Sequence, residues 1–363
     1  MIARTPLRLA ATACAWMLAS GTAAGQDTGI TTKFNGFGTL AGAVTNTDET
    51  QFRQSARVAK GADKSLDLGL DSRLAIQGSI GFANDFTFTT QVVGRRAAEK
   101  DFKPAVEWLY AQYSGLPGTD IRVGRVVLPT FMLSDSRDVG YAQTAMRVPT
   151  LVYGMLPLTN LDGAQINYRH SVGDAIVSAQ LSAGKTENTA VGPTGPGPVT
   201  GDDIRNANLT LEWGKWTLRV SDNRMNVDLQ FLPKMNEKFR EYGLQYDNGQ
   251  AVFTAEFVKR KTTPMIADAD AWYFSGGWRF GKWTPYAVFS TYKPTVAFGP
   301  PGTPVGPIAR GQSLGLRYDF AANMAIKVDF SRIDVDSARH IFTKPLPPGR
   351  KVDVLSAGLD FVF

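Results

Sequence analysis

The chain has 363 residues, of which 43% are hydrophobic, a single cysteine and a formal net charge of +6. This mild positive balance lacks the clustered Lys/Arg stripe of a nucleic-acid-binding protein, so nucleic acid is not an expected partner. One cysteine cannot form a disulfide framework, and no stretch after the N-terminal leader approaches the roughly 18 apolar residues of a membrane-spanning helix.

The N-terminus predicts a secretory signal peptide over residues 1–25. Arg4 and Arg8 provide the positive start, residues 9–18 form a short apolar core, and small residues follow. Cleavage would remove the only cysteine and leave residues 26–363 with a net charge of +4. An exported chain without thiols needs another source of stability, and a closed β-barrel, in which every backbone group is hydrogen-bonded, supplies one.

Strand-like segments of about ten residues recur along the rest of the chain. In the clearest, Leu66–Ile80, aliphatic side chains including Leu70 share one face, while Asp67 and Arg73 lie on the other. Alternation with period two predicts a strand with one apolar and one polar face. Sixteen such segments are predicted: Phe34–Val44, Leu66–Ile80, Asp85–Arg96, Val106–Gly115, Asp120–Val127, Asp162–His170, Asp174–Gly184, Ile204–Trp213, Lys215–Asn223, Lys238–Asp247, Gln250–Lys261, Ala271–Phe280, Lys282–Tyr292, Gln312–Phe320, Met324–Asp334 and Lys351–Phe363.

Short and long connections alternate between these segments. The short ones carry turn dipeptides such as Asn248-Gly249, whereas the long ones are rich in Gly, Pro, Thr or charge. The predicted long connections in the second half are Lys185–Asp203, Val227–Asn236, Thr262–Asp270, Lys293–Arg310 and Asp336–Gly349. This alternation is typical of an up-and-down membrane barrel with short turns on one side and external loops on the other. A soluble β-sandwich is the alternative, and it would not explain this regularity.

Aromatic residues support the membrane interpretation. Five tryptophans lie at or near predicted strand ends on the apolar face, namely Trp213, Trp216, Trp272, Trp278 and Trp283. Amphipathic rings favour the membrane–water boundary, where barrels carry aromatic girdles. We therefore expect these rings to face lipid rather than a soluble core.

The last segment, 355–363, alternates strictly and ends on Phe363. Such an ending resembles that of bacterial outer-membrane barrels, in which the final strand closes the barrel against the first. In those proteins the terminal Phe is part of the signal read by the barrel assembly machinery. The resemblance implies an outer-membrane location and contact with outer-membrane lipid and lipopolysaccharide.

A second, longer segment resembles one particular family of outer-membrane barrels. Residues 106–125, Val-Glu-Trp-Leu-Tyr-Ala-Gln-Tyr-Ser-Gly-Leu-Pro-Gly-Thr-Asp-Ile-Arg-Val-Gly-Arg, are similar to the aromatic strand, Ser-Gly-Leu turn and Gly-Arg strand of the trimeric general porins of Gram-negative bacteria. In that family the following segment is the third external loop, which folds into the channel and narrows it. The resemblance implies that 128–160 is this constriction loop and that the protein is a homotrimer. The loop sequence departs from the acidic one of the best-known members, as in a divergent branch.

Candidate constriction residues follow from this architecture. Arg73 and Arg95 have inward parity on their strands, and the resemblance assigns Arg125 to the pore although it shares the parity of apolar neighbours. The loop candidates are Ser134, Asp135, Ser136, Arg137, Asp138 and Tyr141. Charges that face each other across a narrow aqueous gap favour polar and ionic solutes over apolar ones.

Further charged residues have the parity of the pore lining. They are Arg169, Arg219, Glu241, Glu256, Arg260, Arg279, Arg317, Asp319, Lys327 and Asp329. Basic groups outnumber acidic ones in this set, and the planar guanidinium fork suits carboxylate and phosphate. The predicted function is passive diffusion of small hydrophilic solutes and ions with a mild preference for anions. A substrate-specific channel for organic acids or other small anions is the alternative.

A barrel enzyme or adhesin is the third hypothesis and has the least support. The only histidines are His170 and His340, and no HExxH or CxxC spacing is present. His170 lies beside Ser171, which is the one pairing that a lipid-face hydrolase could use. We expect no enzymatic activity, no cofactor and no metal site.

Overall fold

The computed structural model describes residues 29–83, 85–99, 102–192, 195–229, 234–264, 268–296, 305–306, 308–334, 339–347 and 349–363, so the predicted signal peptide lies outside it. Within these residues no helix is long and apolar enough to cross a membrane. The strands are β1 (Thr31–Thr45), β2 (Arg73–Phe82), β3 (Phe86–Arg95), β4 (Lys103–Leu116), β5 (Thr119–Val127), β6 (Asn160–Val172), β7 (Ala175–Gly192), β8 (Gly195–Trp213), β9 (Trp216–Asp228), β10 (Met235–Asp247), β11 (Ala251–Thr263), β12 (Ala269–Trp278), β13 (Trp283–Pro294), β14 (Ala309–Ala321), β15 (Met324–Asp334) and β16 (Lys351–Val362). A one-turn helix, α1 (Thr150–Tyr153), lies between β5 and β6.

The sixteen strands form one closed antiparallel barrel. Each strand pairs with its neighbours in sequence, and β16 pairs with β1 to complete the ring. Closure gives every strand a partner on both sides, which satisfies the backbone of the ring without help from solvent. The predicted fold class and strand number are confirmed.

The rings of the last strand are accommodated by glycines of the first. Phe361 and Phe363 lie against Gly38 and Gly36, where an added Cβ would overlap the rings. The Phe363 amide also donates to the Gly36 carbonyl at 2.9 Å, and the Gly36 amide to the Phe363 carbonyl at 2.8 Å. The seam between β1 and β16 therefore needs glycine at these two positions.

The two faces of the sheet differ as the alternation predicts. On β2 the side chains of Leu74 and Ile76 point outward and are each 44% exposed, whereas Arg73 points inward and is 6% exposed. The five tryptophans of the predicted girdles are all exposed hydrophobic residues. The apolar rows thus remain on the outer face and do not pack against each other.

The second strand begins later than predicted. Residues 66–72 lie outside β2, which starts at Arg73, and Leu70 is buried instead of sharing the outer face with Leu68. The carboxylate of Asp67 accepts hydrogen bonds from the amides of Gly69 (3.0 Å) and Leu70 (2.8 Å). This local turn competes with strand pairing, so the alternation in the sequence does not continue as a strand.

The predicted loop Lys185–Asp203 is mostly strand. β7 and β8 extend into it and pair from Thr186 opposite Gly201 to Gly192 opposite Gly195, although positions 193 and 194 lie outside the described residues. Pro196 and Pro198 are tolerated because β9 pairs with β8 only from Thr200 onward. Gly and Pro therefore mark an exposed strand edge here rather than a loop.

Connections of two to four residues join the strands at one end of the barrel, which we call the short-turn end. Several of these turns use a glycine with positive φ, such as Gly214 and Gly281, both at 61°. The opposite, long-loop end carries the two longest connections, 46–72 and 128–159. Parts of the predicted loops Val227–Asn236, Thr262–Asp270, Lys293–Arg310 and Asp336–Gly349 lie outside the described residues.

The two longest connections pack together with residues 339–346. Phe52 and Phe342 have ring centroids 5.9 Å apart and belong to one buried apolar cluster with Leu151 and Val152 of α1. This cluster combines residues of the connections with buried strand residues such as Phe239 and Tyr273. It was not predicted, because alternation reports on strands and gives no information on how loops fold back.

Candidate functional site

Two carboxylates on the inner side of β2–β4 are surrounded by arginines. The carboxylate of Asp138 accepts Arg73 Nη1 at 3.3 Å and Arg95 Nη1 at 2.8 Å. The carboxylate of Glu107 pairs with Arg95 and with Arg57 Nη2, the latter at 3.4 Å. Four chain segments that are distant in sequence, 46–72, β2–β3, β4 and 128–160, therefore meet at one polar site.

A fourth guanidinium completes the site. Arg137 lies 6.0 Å from the ring centroid of Tyr153, and its carbonyl accepts Arg73 Nη1 at 3.5 Å. We call Arg57, Arg73, Arg95 and Arg137 the arginine cluster. These four guanidinium groups and the carboxylates of Glu107 and Asp138 line a cavity of about 230 Å³, whose complete lining holds seven basic and five acidic residues. The cavity therefore has an excess of positive charge.

Electrostatics keep the carboxylate of the loop charged. Burial alone would raise the pKa of Asp138, but the nearby guanidinium groups, foremost Arg95 and Arg73, lower it to about 2. Burial lowers the pKa of Arg57 to about 10, and repulsion from Arg95 acts in the same direction. Burial also lowers the pKa of Arg137, against the attraction of Asp138.

The structure brings together four of the predicted constriction residues, Arg73, Arg95, Arg137 and Asp138, and adds two that were not predicted. Arg57 comes from a connection for which the sequence gives no inward or outward parity. Glu107 lies at a register shift between β3 and β4. Gln91 pairs with Trp108 and Val92 with Val106, so Glu107 is the extra residue of β4 and its side chain points inward beside Trp108. The one signal in the sequence was an acidic residue within a strand otherwise rich in aromatics.

The other four loop candidates, Ser134, Asp135, Ser136 and Tyr141, lie apart from the arginine cluster. The Oγ of Ser136 accepts a hydrogen bond from Gln143 Nε2 at 3.1 Å. Ser134 is buried, and its Oγ accepts the amide of Phe131 at 3.0 Å, which is a structural role. Asp135 is exposed. The hydroxyl of Tyr141 donates to the carbonyl of Ala322 at 2.7 Å, at the β14–β15 turn.

Lys327 was predicted to line the pore, and its burial contradicts that prediction. It is fully buried, its Nζ lies 2.9 Å from Asp360 Oδ2, and it donates to the carbonyls of Gly140 (2.7 Å) and Ala145 (3.0 Å). The ammonium is covered because segment 140–145 packs over the inner face of β15 and β16. Lys327 therefore anchors the loop instead of facing water.

Arg317 serves the same segment. Its Nη1 donates to the carbonyls of Tyr141 and Gln143, both at 2.8 Å, and its guanidinium carbon lies 4.8 Å from the Tyr141 ring centroid. Asp319, also a predicted lining residue, pairs with Arg317 at 2.8 Å. The carboxylate of Asp329 accepts the Tyr286 hydroxyl at 2.9 Å.

Four more predicted lining residues, on β9–β11, are buried beneath the loop. Arg219 donates to the Pro129 carbonyl (2.6 Å) and pairs with Glu241 (3.3 Å). Glu256 accepts the amide of Met132 at 3.0 Å and the Tyr153 hydroxyl at 2.8 Å, and Arg260 donates to the Met155 carbonyl at 3.0 Å. Parity correctly placed all four on the inner face, but their burial contradicts a solvated role. Arg219, Glu256 and Arg260 bind the backbone of segment 128–160, whereas Glu241 pairs with Arg219.

A buried ion pair joins the two long connections. Arg147 donates to both oxygens of Asp71, at 3.0 and 2.7 Å, and to Ser356 Oγ at 2.5 Å. Burial raises the pKa of Asp71, but the pairing with Arg147 outweighs it, so the net pKa is lowered. Neither residue was predicted to have a role. Arg147 lies in a connection, and Asp71 lies in the part of the predicted strand Leu66–Ile80 that precedes β2.

The register of β5 places Arg125 on the outer face of its strand, although its side chain also lines the edge of the cavity. Arg125 lies opposite Leu109 and opposite Asp162, and thus on the outer face with Val123, which is 59% exposed. Its guanidinium binds both oxygens of Asp162 at 2.7 Å each. It also reaches the Val106 carbonyl, where pairing between β4 and β5 ends at the edge of the cavity. The apolar parity of its neighbours correctly gave the orientation of the side chain, and the role of Arg125 in the pore stays a prediction.

Two predicted lining residues lie at the short-turn end, far along the strands from the cavity. Arg169 pairs with Glu212 at 3.4 Å, and its side chain is 57% exposed. Arg279 binds both oxygens of Asp247, at 2.6 and 2.9 Å. Both positions have inward parity and belong to the mouth rather than to the arginine cluster.

Chemistry other than solute binding finds little support. In the part of the chain that the structure describes, no three His, Cys, Asp or Glu side chains are placed to hold a metal ion. His170 is exposed and stacks on Tyr168, with ring centroids 6.1 Å apart. His340 Nε2 lies 3.2 Å from the Leu151 carbonyl, and burial lowers its pKa to about 3, so it is a neutral packing residue.

A closed sixteen-strand barrel, apolar outside and lined with charge inside, defines the class of outer-membrane β-barrel channels. Residues 10–338 match the family model of the Gram-negative porins. The chain belongs to this family, which locates it in the outer membrane.

Solved structures share the fold at low sequence identity. The chain is similar to Salmonella typhi OmpF in complex with daunomycin, with a TM-score of 0.64, 14% identity and coverage of 92% of this chain and 98% of that one. It is also similar to the outer membrane channel DcaP of Acinetobacter baumannii, with a TM-score of 0.63, 10% identity and coverage of 92% of this chain and 97% of that one. The anion-selective porin from Comamonas acidovorans is similar with a TM-score of 0.60, 13% identity and coverage of 92% of this chain and 100% of that one. A comparison with curated proteins found no match.

Proposed function

We propose that this porin forms a water-filled channel for the passive diffusion of small hydrophilic solutes and ions, with a mild preference for anions. The observation that carries this proposal is the arginine cluster, in which four guanidinium groups and two carboxylates share one cavity. Excess positive charge in a narrow passage raises the local concentration of anions and lowers their barrier to entry. The partly exposed side chains of Arg95 and Arg57, at 17% and 19%, are accessible to a passing solute.

Segment 128–160 is the proposed constriction. Its support is a set of contacts with inner-face side chains all round the ring: Arg73 and Arg95 on β2 and β3, Arg219 on β9, Glu256 on β11 and Lys327 on β15. From these contacts we infer that the segment crosses the lumen. It leaves the arginine cluster on one side of the passage.

The test is current through the purified full-length protein in a planar bilayer. Under a salt gradient we expect a reversal potential of the sign given by anion preference, with conductance rising linearly with salt. Conductance that saturates with one organic acid would instead support the substrate-specific channel, for which the paired guanidinium forks are suited. Negligible conductance together with lipid hydrolysis would contradict both and favour a barrel enzyme.

The pKa of Asp138 predicts how selectivity responds to acid. Because its folded pKa, about 2, lies below that of a free Asp, its ion pairs stabilise the loop at neutral pH and are lost only as the pH falls towards 2. We expect Asp138 to contribute no change in the anion/cation permeability ratio between about pH 5 and pH 8. The ratio should rise below about pH 3, when protonation removes one carboxylate from the cavity. Asp138→Asn removes the same carboxylate and should raise the ratio at neutral pH, and an unchanged ratio in this variant would contradict the assignment.

A homotrimer and recognition of Phe363 by the assembly machinery are further proposals. On the outer face of β1–β4, the long-loop end is uncharged among the described residues, and Leu66 and Leu68 remain 67% and 64% exposed. An apolar patch without charges suits a contact with another subunit. The subunit number follows from cross-linking the full-length protein in its membrane, and a monomer there would refute the trimer.

A further inference from the structure

A row of uncharged amide side chains crosses β6, β7 and β8. Asn167 lies opposite Gln180, and Gln180 lies opposite Asn208. Gln180 Nε2 donates to Asn167 Oδ1 at 2.7 Å, and Asn208 Nδ2 donates to Gln180 Oε1 at 2.5 Å. We call these three residues the amide row. Because each amide oxygen accepts from the next amide group, the row is one continuous chain of hydrogen bonds.

The amide row faces the lumen. Ile166, Leu181 and Leu209 are the sequence neighbours of the three amides and are exposed on the outer face, so the amides point inward. All three amide residues are half-buried, which leaves part of each in contact with the lumen. Along β6, Asn167 lies seven residues beyond Asn160, which lines the cavity of the arginine cluster, and this corresponds to about 23 Å. The row is therefore separate from the arginine cluster and nearer the short-turn end.

Buried polar side chains hold the amide row in place. Gln165 Oε1 accepts a hydrogen bond from Asn167 Nδ2 at 3.4 Å, and Asn206 Oδ1 accepts one from Asn208 Nδ2 at 3.2 Å. Both supporting residues are buried, and Gln165 Nε2 itself donates to Ser182 Oγ at 3.2 Å. Side chains fixed in this way lose little further conformational entropy when they bind a solute.

The row keeps hydrogen-bonding capacity for a solute. A side-chain amide has two N–H donors and one oxygen with two lone pairs. Among the residues that the structure describes, the side chain of Gln180 donates one hydrogen bond and accepts one, and so does that of Asn167. Each of these two amides therefore retains a donor and an acceptor.

The residues at the ends of the row extend the same chemistry. Asp120 lies opposite Asn167, and its carboxylate accepts the Ser114 hydroxyl at 2.6 Å. Ser221 lies opposite Asn208 at the other end. Neighbouring strands are about 4.8 Å apart, so polar groups repeat at this interval across five strands. Such a repeat suits a molecule that carries several hydroxyl groups along one side.

We propose that the amide row binds the hydroxyl groups of sugars and polyols that pass through the channel. A hydroxyl both donates and accepts, and thus matches an amide that has one of each to offer. Binding that is favourable enough to enter and weak enough to leave increases the flux of the bound solute. This inference rests on the proposed channel and names a class of solute for it, and it is independent of the anion preference.

The test is the swelling of liposomes that contain the full-length protein, in isosmotic mannitol or hexanetriol. Both probes are uncharged six-carbon alcohols, and hexanetriol has half as many hydroxyl groups. Swelling of liposomes without protein is subtracted. In Gln180→Met/Asn208→Leu, which replaces the amides by apolar side chains of similar size, we expect the mannitol/hexanetriol rate ratio to fall about twofold. This is the effect of one hydrogen bond at the low end of its usual net contribution.

The matched control is Gln77→Met/Gln91→Met, which removes another inner-face amide pair, joined by a 3.0 Å hydrogen bond between β2 and β3. It should keep the wild-type ratio, and so should the exchange Gln180→Asn/Asn208→Gln, which retains both amides. Heat unfolding shows whether each variant is folded, and Gln180→Met alone gives a second, smaller change at the same site.

Three outcomes would overturn the amide row as a binding site. They are an unchanged ratio in the folded row variants, an equal fall in the control, and swelling of the wild type in neither alcohol. The third would also contradict the channel itself. A lowered ratio in the row variant, together with a wild-type reversal potential of zero, would support the row and contradict only the anion preference.

Discussion

Lys327→Met should loosen the constriction segment and lower the apparent unfolding temperature of the barrel. The substitution removes an ammonium that pairs with Asp360 at 2.9 Å and holds the carbonyls of Gly140 and Ala145. Asp360 is 1% exposed, so the substitution would leave its carboxylate buried without the ammonium. The hydroxyl of Thr39 would still donate a hydrogen bond to this carboxylate at 2.6 Å. Removing one partner of a buried ion pair costs about 3–5 kcal/mol.

The companion variant Lys327→Met/Asp360→Asn distinguishes the ion pair from the loop anchor. Since Asn leaves no buried charge, the double variant should recover most of the unfolding temperature but not the two hydrogen bonds to segment 140–145. Single-channel recordings of both variants should therefore show larger current fluctuations than the wild type. Lys215→Met, at an exposed turn, is the control for loss of a lysine. Quiet currents and an unchanged unfolding temperature in Lys327→Met would show that the ammonium does not hold the loop.

The barrel could be predicted because successive side chains of a strand point to opposite faces. The resulting alternation of apolar and polar residues is visible in each segment of the sequence. Leu74 and Ile76 point outward and Arg73 inward as their alternation requires, and all sixteen strands exist. Errors arose where a local interaction competes with pairing. Because of the turn around Asp67, β2 begins later than predicted. Pro196 and Pro198 lie where β8 does not pair with β9, so their missing amide hydrogens break no hydrogen bond between these strands.

The site was less predictable, because its loops carry no periodicity. Arg73 and Arg95 were found by parity, but Arg57 and Arg147 reach the interior from connections whose path depends on long-range contacts. Parity also cannot distinguish a solvated inner face from a covered one. Lys327 has the sequence environment of a lining residue, and its burial follows only from the packing of segment 140–145 over it.

Inside the barrel the two long connections form both an apolar cluster and a buried ion pair. The apolar cluster around Phe52 and Leu151 fixes connections 46–72 and 128–160 against each other, and the ion pair of Arg147 with Asp71 fixes their relative position. These contacts place Arg57 and Arg137 next to Arg95 on the barrel wall. Charges held in this way do not reorganise when a solute passes, which is the condition for a lasting effect on selectivity.

Replacing Arg73 and Arg95 by glutamine should abolish the anion preference of the channel. The double variant leaves Arg57 and Arg137 facing Glu107 and Asp138, so the cavity becomes neutral. Two unit charges about 4 Å apart interact by about 1 kcal/mol in bulk water and by more in a confined passage, while salt screening reduces the effect. We expect the anion/cation permeability ratio to fall about fivefold, which corresponds to about 1 kcal/mol.

The matched control is Arg169→Gln/Arg279→Gln, which removes two inward-facing arginines from the short-turn end. If the bottleneck sets selectivity, the control should keep the wild-type reversal potential, because charges in a wide mouth are screened by mobile ions. If total lumen charge sets selectivity, both double variants should shift the potential equally. An unchanged potential in Arg73→Gln/Arg95→Gln, measured on protein that still resists heat unfolding, would remove the arginine cluster from the conduction path and with it the proposed anion preference.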